Sequence, residues 1–457
     1  MGSGQSGPNP LFYYPSASAP ASCVTAATGN RTPRHLLTNP EFLALAALQF
    51  ARGMAYATIL IALALYVDLF SVSGVVAGLF GTVYAAVRLF TVLPLGRAAD
   101  RGNKKHHMLA GLSLYGIVLL GFMQVGAVSH VIVLRVLQGL SSTLLILTGT
   151  AVVGEICPDE ERGLWIGTFN QARALSSLLG DLVGGALLFS YGFTVTYGVL
   201  VAATVVATVA VYAFLRDDPG ADAGDDRSGR ETLVRLLKRR AVAALVAFRF
   251  TFSFGKMAVV LFLPIYARTA FDMSALLIGG ILAGGKLTKA IAQGHVGTLS
   301  DRLGNRSGFI VAGTLVYALG TAAIPFAAAA QASLGAVSVG VRGWAVAIPG
   351  AAFLLFGSYV LLGLADSLRL PTSMTLFVEE GRHYDAVAGS LSLRSVSWQV
   401  GGIVGPLAAG AVLDALSFAA AFWLAAAVMV LAALAFVLLY AVEPPPEGTV
   451  VDDPDLD

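Results

Sequence analysis

Long apolar runs separated by short polar breaks follow one another along most of the chain. A helix needs roughly 20 apolar residues to cross the hydrocarbon core of a bilayer. Runs of about that length lie near residues 41–66, 73–95, 107–127, 130–153, 163–190, 193–215, 241–267, 274–298, 307–330, 350–377, 386–413 and 416–440. The pattern therefore predicts an all-α membrane protein with 12 transmembrane helices.

The runs form two sets of six, because a polar segment interrupts the alternation at 216–240. This segment starts with acidic residues and ends in a basic stretch from Arg235 to Arg240. Its last dozen residues favour a short basic amphipathic helix on the membrane surface. We predict five segments: a disordered N-terminal tail (1–40), an N-terminal six-helix bundle (41–215), a cytoplasmic central linker (216–240), a C-terminal six-helix bundle (241–440) and an acidic C-terminal tail (441–457).

A charged hinge occurs twice, after the second and after the eighth apolar run. It reads Gly-Arg-Ala-Ala-Asp-Arg-Gly from Gly96 and Gly-Thr-Leu-Ser-Asp-Arg-Leu-Gly from Gly297. Asp301 follows Asp100 after 201 residues, and the first copy is one residue shorter after Arg101. A charged segment repeated between apolar runs indicates two homologous halves. We therefore expect two pseudo-symmetric bundles.

Composition narrows the class of protein. Hydrophobic residues make up 56% of the chain, charged residues 12%, and the mean hydropathy is +0.77, which is more apolar surface than a soluble core can bury. The net charge of +2 argues against nucleic-acid binding. Cys23 and Cys157 suggest neither a disulfide nor a metal site, and we expect no cofactor. The sequence lacks a Walker loop, a metal-binding His pattern and a nucleophile elbow, so no enzyme is predicted.

The distribution of Lys and Arg predicts the orientation in the membrane. Basic residues are frequent in the loops on the side of both termini, whereas the opposite loops carry Arg268 and Arg342. Cytoplasmic loops typically show such an excess. We expect a monomeric, multi-pass protein of the cell membrane with both termini in the cytoplasm.

Two further motifs accompany the repeated hinge. The fourth run contains Arg-Val-Leu-Gln-Gly from Arg135, and the eleventh contains Gly-x-x-x-Gly-Pro from Gly401. Together with the two six-helix halves, these motifs resemble the major facilitator superfamily of secondary transporters over residues 41–440. The second motif, when it lies in the fifth helix, is typical of that family's drug:proton antiporter branch. In the fifth run of this chain, Asp181 stands where the motif has Pro.

The resemblance implies a transporter that alternates between inward-facing and outward-facing states. In such a protein the hinge carboxylates latch the two halves in the outward-facing state, and the hinge glycines allow close helix contact. The predicted gating residues are Gly96, Asp100, Arg101, Gly297, Asp301 and Arg302. The basic residues of the hinges could instead serve only as topology anchors.

Cations inside predicted helices are the candidates for substrate binding, because each costs at least about 2.5–3.5 kcal/mol unless it faces a cavity or a partner. Arg88 and Lys289 each precede a hinge aspartate by 12 residues, a rise of roughly 18 Å that reaches the middle of the membrane. Snorkelling or a buried ion pair is the alternative for each. The predicted substrate-binding set is Arg52, Arg88, Arg173, Lys286 and Lys289.

Carboxylates at membrane depth are scarce. Asp181 and Asp366 are predicted either to accept protons in a coupled cycle or to act as counter-ions, and Arg135 joins them as a candidate for proton coupling. The excess of cations favours an anionic or zwitterionic solute. Aromatic side chains such as Tyr56 and Trp398 could line a pocket, although packing is their commoner role.

These expectations combine into a function. We predict a secondary transporter that moves a small organic solute by alternating access, with proton-coupled export as the leading interpretation. An organic-anion uptake symporter or exchanger is the alternative within this class. A transporter-like receptor that binds solute without moving it is the alternative from another class.

Overall fold

Helices form nearly all of the chain that the computed structural model describes, namely residues 36, 38–158, 161–217, 230–341, 344–383 and 386–440. The helices are α1 (Pro40–Leu69), α2 (Gly74–Arg101), α3 (Lys104–Phe122), α4 (Val128–Ile156), α5 (Arg162–Phe214), α6 (Arg230–Leu237), α7 (Arg240–Phe271), α8 (Ala275–Leu303), α9 (Arg306–Ala323), α10 (Ala327–Leu334), α11 (Gly350–His383), α12 (Val387–Ala415) and α13 (Phe418–Tyr440). Most of the predicted N-terminal tail, much of the linker and the whole predicted C-terminal tail lie outside the described residues.

The described helices make 12 membrane crossings. Ten of the helical segments are long and apolar enough to span a bilayer. One of them, α5, turns at Gly192, where φ is +71°, so its limbs 162–191 and 193–214 cross separately. A positive φ suits glycine because it has no Cβ. The remaining crossing is α3, whose mean hydropathy is lowered by Lys104 and Lys105 at its start. The predicted fold class, an all-α membrane protein with two six-helix bundles, is confirmed.

Local capping explains how the two hinges interrupt the helices. In the first hinge, Gly102 is extended and the Asn103 side chain accepts hydrogen bonds from the first turn of α3. In the second, Gly304 adopts a left-handed conformation with φ of +66°, and Asn305 caps α9. Asparagine side chains satisfy the free N–H groups of a helix start. The one-residue difference in hinge length therefore changes the turn but preserves the break.

The segment 331–349, between the predicted membrane runs 307–330 and 350–377, contains regular structure. The helix α10 continues to Leu334, and an antiparallel hairpin follows, formed by β1 (Ala336–Val341) and β2 (Trp344–Pro349). Val alternates with small residues along β1, and such a period of two with β-branched side chains favours a strand. The alternation is visible in the sequence, and the prediction overlooked it.

The basic helix predicted at the end of the linker is present as α6. Its Leu236 is buried and packs in a small apolar cluster with Val242 of α7 and Leu393 of α12. This helix is therefore attached to the second bundle by its apolar side.

The two halves meet along two helix pairs, α2 with α12 and α5 with α8, and α1 also contacts α7. We call the face where α1 begins and α13 ends the terminal face, and the opposite face the distal face. Glycines bring the backbones together toward the distal face. A Cβ added at Gly410 would lie 2.1 Å from the carbonyl oxygen of Gly74, and one added at Gly279 would lie 2.2 Å from that of Asp181. The halves are thus closed against each other on the distal side.

Candidate functional site

A buried ion pair joins the two halves in the middle of the bundle. Asp181 of α5 is fully buried, and its Oδ2 lies 2.6 Å from Nζ of Lys286 on α8. Lys286 also donates a hydrogen bond to Oγ of Ser177, one turn earlier on α5. The position where the resembling motif has Pro therefore holds a carboxylate that is tied to the opposite half. Lys286 is engaged by protein groups in this conformation.

A second buried carboxylate, Asp366, is surrounded by three cationic side chains of the C-terminal half. Asp366 of α11 accepts a hydrogen bond from Lys256 of α7, and its Oδ1 lies 2.9 Å from Nη2 of Arg369. Lys289 of α8 lies 3.8 Å from the other carboxylate oxygen. We call these four residues the Asp366 cluster. Three cations around one carboxylate leave a surplus of positive charge.

Two members of this cluster were missing from the predicted site. Arg369 is fully buried, and its guanidinium lies 3.6 Å from the ring centroid of Phe252. It follows Asp366 by three residues, a spacing that places two side chains on one helix face, so this pair could have been predicted. Lys256 reaches Asp366 from a different helix, and no spacing in the sequence signals that contact.

Four arginines gather in the N-terminal half without such a partner. We call Arg52, Arg88, Arg135 and Arg173 the arginine cluster. Arg88 and Arg135 both approach the ring of Tyr84, and Arg52 interacts electrostatically with Arg88 and Arg173. Among the described residues, no carboxylate lies within 4 Å of any of the four guanidinium groups. The cluster therefore carries positive charge that these residues leave uncompensated.

Arg135 connects α4 to α2 within this cluster. Its Nε donates to the carbonyl oxygen of Phe80 at 2.7 Å, and its Nη1 donates to Oε1 of Gln138 at 2.6 Å. Its guanidinium stacks 4.4 Å from the centroid of Tyr84. These contacts bind α4 to α2 and account for the Arg-x-x-Gln spacing. The predicted part of Arg135 in proton coupling stays a prediction.

A cavity lies between the halves beside the arginine cluster. Its volume is about 100 Å³, and it is partly open to its surroundings. The N-terminal half contributes Tyr56, Tyr84 and Arg88 to its wall, and the C-terminal half contributes Met257 and Trp398. Arg88 thus lines the cavity, whereas Lys289 is turned toward Asp366.

The hinge glycines do not make close contacts in this conformation. A Cβ added at Gly96 or Gly297 would meet no described atom within 4 Å. Arg101 and Arg302 are exposed at the ends of α2 and α8. The two halves approach each other closely on the distal face instead, and the predicted latch stays a prediction. The side chains of the remaining two gating residues, Asp100 and Asp301, lie outside the described part of the structure.

Polar contacts between the halves are found at the distal face, where no motif had indicated them. Oδ2 of Asp68, near the end of α1, accepts a hydrogen bond from Arg268 of α7 at 2.8 Å. Asp414 of α12 accepts hydrogen bonds from the backbone N–H groups of Gly74 and Val75 at the start of α2. A carboxylate is stabilised at a helix N-terminus by the free N–H groups and the helix dipole. These contacts hold the distal face closed.

Comparison with known proteins places this arrangement among transporters. The sequence pattern of the Major Facilitator Superfamily matches residues 45–354 and 249–455. The multidrug resistance protein MdtG of Dickeya zeae is 25% identical over 393 residues, which cover 84% of this chain and 90% of that protein. MdtG of Salmonella typhimurium is also 25% identical, over 84% of this chain and 91% of its own length.

Solved structures of the same fold are also similar to the chain. A bacterial homologue of the lysosomal transporter Spinster, inward-facing and unoccupied, has a TM-score of 0.68 at 14% identity and covers 88% of this chain and 95% of its own. The nucleoside transporter NupG has a TM-score of 0.69 at 13% identity, covering 88% of this chain and 99% of its own. At these identities the likeness shows the fold.

Proposed function

Because this chain belongs to the Major Facilitator Superfamily, we propose that it is a secondary transporter that exports a small organic anion in exchange for protons. The arginine cluster carries the proposal. Each intramembrane cation costs at least about 2.5–3.5 kcal/mol when it lacks a partner. An anionic solute in the adjoining cavity would supply the missing negative charge.

The coupling to protons rests on the two buried carboxylates. Protonation of Asp181 would remove its charge and weaken the pair with Lys286, which spans the halves. A contact that forms in one state and breaks in another can couple proton binding to the opening of the bundle. Asp366 contacts cations of its own half, so its protonation would change the charge of the site more than the contact between halves.

Export is the direction favoured by the relatives. The two similar MdtG proteins are named multidrug resistance proteins, and both align over most of this chain. For this chain, export is accordingly the direction to test first.

Uptake of an organic anion together with protons is a second candidate, which the positions of the carboxylates favour. Asp366 lies among three cations, and Asp181 pairs with Lys286. Protonation of either one raises the positive charge of the site and strengthens the binding of an anion there. By thermodynamic linkage the anion then also strengthens proton binding. Export of the anion in exchange for protons requires a different coupling, in which proton binding weakens the contact between Asp181 and Lys286 that joins the halves.

Flux measurements in proteoliposomes distinguish these possibilities. Organic anions that raise the thermal stability of the purified protein would be loaded or added outside, and a pH gradient of either sign imposed. We expect the anion to move against the direction of proton flow. Movement with the protons would establish the second candidate. Flux that is the same for both signs of the pH gradient would contradict proton coupling. Binding of the anion without any flux across the membrane would indicate a receptor.

A further inference from the structure

We propose that the central cavity selects a flat aromatic monoanion, whose single acidic group binds Arg88 and whose ring lies among Tyr56, Tyr84 and Trp398. This inference rests on the proposed function and specifies its substrate class. The four residues all line the cavity and come from both halves. A ligand held by them would therefore contact both sides of the seam.

The number of free cationic groups in the wall sets the charge of the ligand. Arg88 and Arg135 are the two cations among the residues that line the cavity. Arg135 already donates from Nε and Nη1 to protein acceptors. The Nε of Arg88 is buried without a hydrogen-bond partner. One free guanidinium matches one carboxylate, because the planar fork binds the two oxygens together.

The aromatic residues give the cavity its shape preference. The rings of Tyr56 and Tyr84 lie 5.5 Å apart between centroids at an angle of 38°. Trp398 contributes from the other half, and the guanidinium of Arg249 lies 4.1 Å from its ring centroid. Aromatic rings stack favourably in offset and tilted arrangements over distances of about 4.5–7 Å. A planar ring in the ligand can make such contacts with both halves.

The rest of the wall argues against strongly polar solutes. It consists of small and aliphatic residues with Gln399 as a further polar side chain; the apolar members are Leu60, Gly81, Ala85, Met257, Val260, Leu261, Gly402 and Pro406. A sugar or a dicarboxylate would leave several polar groups unpaired against this surface, which is costly. The described wall contains no carboxylate to attract a cation.

Binding of matched small acids to the purified full-length protein tests the inference. Benzoate, cyclohexanecarboxylate and benzamide differ in planarity or charge at similar size, and calorimetry in detergent measures their affinities. We expect benzoate to bind at least about tenfold more tightly than either of the others. Equal affinity for benzamide would overturn the charge assignment, and equal affinity for cyclohexanecarboxylate would overturn the aromatic preference.

Variants then locate the contacts. Arg88→Gln should weaken benzoate about tenfold or more, while Arg88→Lys should retain part of the affinity. Trp398→Leu should weaken benzoate more than cyclohexanecarboxylate. Arg382→Gln and Trp423→Leu, which change exposed residues on α11 and α13, are the matched controls. Thermal unfolding would confirm that each variant is folded. Losses no larger than those of the controls would overturn the proposed site.

The inference and the proposed function fail in different ways. Proton-driven flux of an aliphatic anion without any preference for benzoate would overturn the inference and leave the transport proposal standing. Selective benzoate binding without proton-dependent flux would overturn the transport proposal alone.

Discussion

The two halves carry cations in their repeated helices but balance them differently. Arg88 and Lys289 occupy the same place in the repeat, 12 residues before the hinge aspartate. Lys289 lies 3.8 Å from Asp366, whereas Arg88 has no carboxylate within 4 Å among the described residues. The duplicated sequence thus preserves the position of a cation without preserving its counter-ion. Of these two repeat-equivalent cations, Arg88 is therefore the one whose charge is available to a solute.

The largest expected effect comes from removing the counter-ion of the C-terminal half. Asp366→Asn leaves Lys256, Lys289 and Arg369 without a negative charge in a buried site. Loss of one partner from a buried ion pair typically lowers the free energy of unfolding by about 3–5 kcal/mol. Denaturation of the variant in detergent measures this loss, and a second substitution, Lys256→Met, should restore part of it.

The control for that experiment is Asp217→Asn. The Asp217 carboxylate pairs with Lys105 at 2.9 Å but its side chain is 81% exposed. Exposed pairs contribute little to stability, because water and salt screen them. Equal losses in the Asp366 and Asp217 variants would show that the Asp366 cluster is not a buried electrostatic unit.

The next effect concerns the ion pair between the halves. Asp181→Asn cannot take up a proton, so we expect the response of flux to the pH gradient to fall about tenfold or more, within the usual range of coupling between sites. Asp272→Asn is the matched control, because its carboxylate pairs with Arg268 on the distal face and is 88% exposed. A gradient response that survives in the Asp181 variant would remove this residue from the coupling mechanism.

The smallest expected effect is the difference in the free energy of unfolding between variants of the two repeat-equivalent cations, Lys289 and Arg88. Lys289→Met should lower the free energy of unfolding by about 1 kcal/mol or less, because Lys256 and Arg369 still balance Asp366. Arg88→Met should leave it unchanged or raise it, because an unpaired cation leaves the membrane interior. Denaturation of both variants in the same detergent measures the difference. If Arg88→Met lowers the free energy of unfolding more than Lys289→Met does, Arg88 stabilises the bundle and is not a cation kept for binding a solute.

Local patterns explain what the sequence could predict. Twelve apolar runs and two hinges are recognised from neighbouring residues, and the structure places helices and breaks there. The spacing of Asp366 and Arg369 was equally visible. The repeat also predicts a depth for Arg88, because a helix converts residue number into distance along its axis.

The remaining contacts depend on how distant helices pack. Lys256 meets Asp366 across 110 residues, and Asp414 meets Gly74 across 340. Hydrophobicity gives the helices but not their rotation about their own axes, which decides whether a charge meets a partner. For the same reason the sequence could indicate an excess of cations, yet could not tell that Lys289 meets a carboxylate whereas Arg88 meets none among the described residues.

The most direct test is the sign of the charge that the protein moves. Proteoliposomes with an imposed pH gradient would be given benzoate and, in parallel, an aromatic cation such as benzyltrimethylammonium, with Arg88→Gln as the comparison. We expect gradient-dependent flux of benzoate that falls about tenfold in the variant, and none of the cation. Transport of the cation without benzoate, undiminished in Arg88→Gln, would contradict the assignment of the arginine cluster as an anion site.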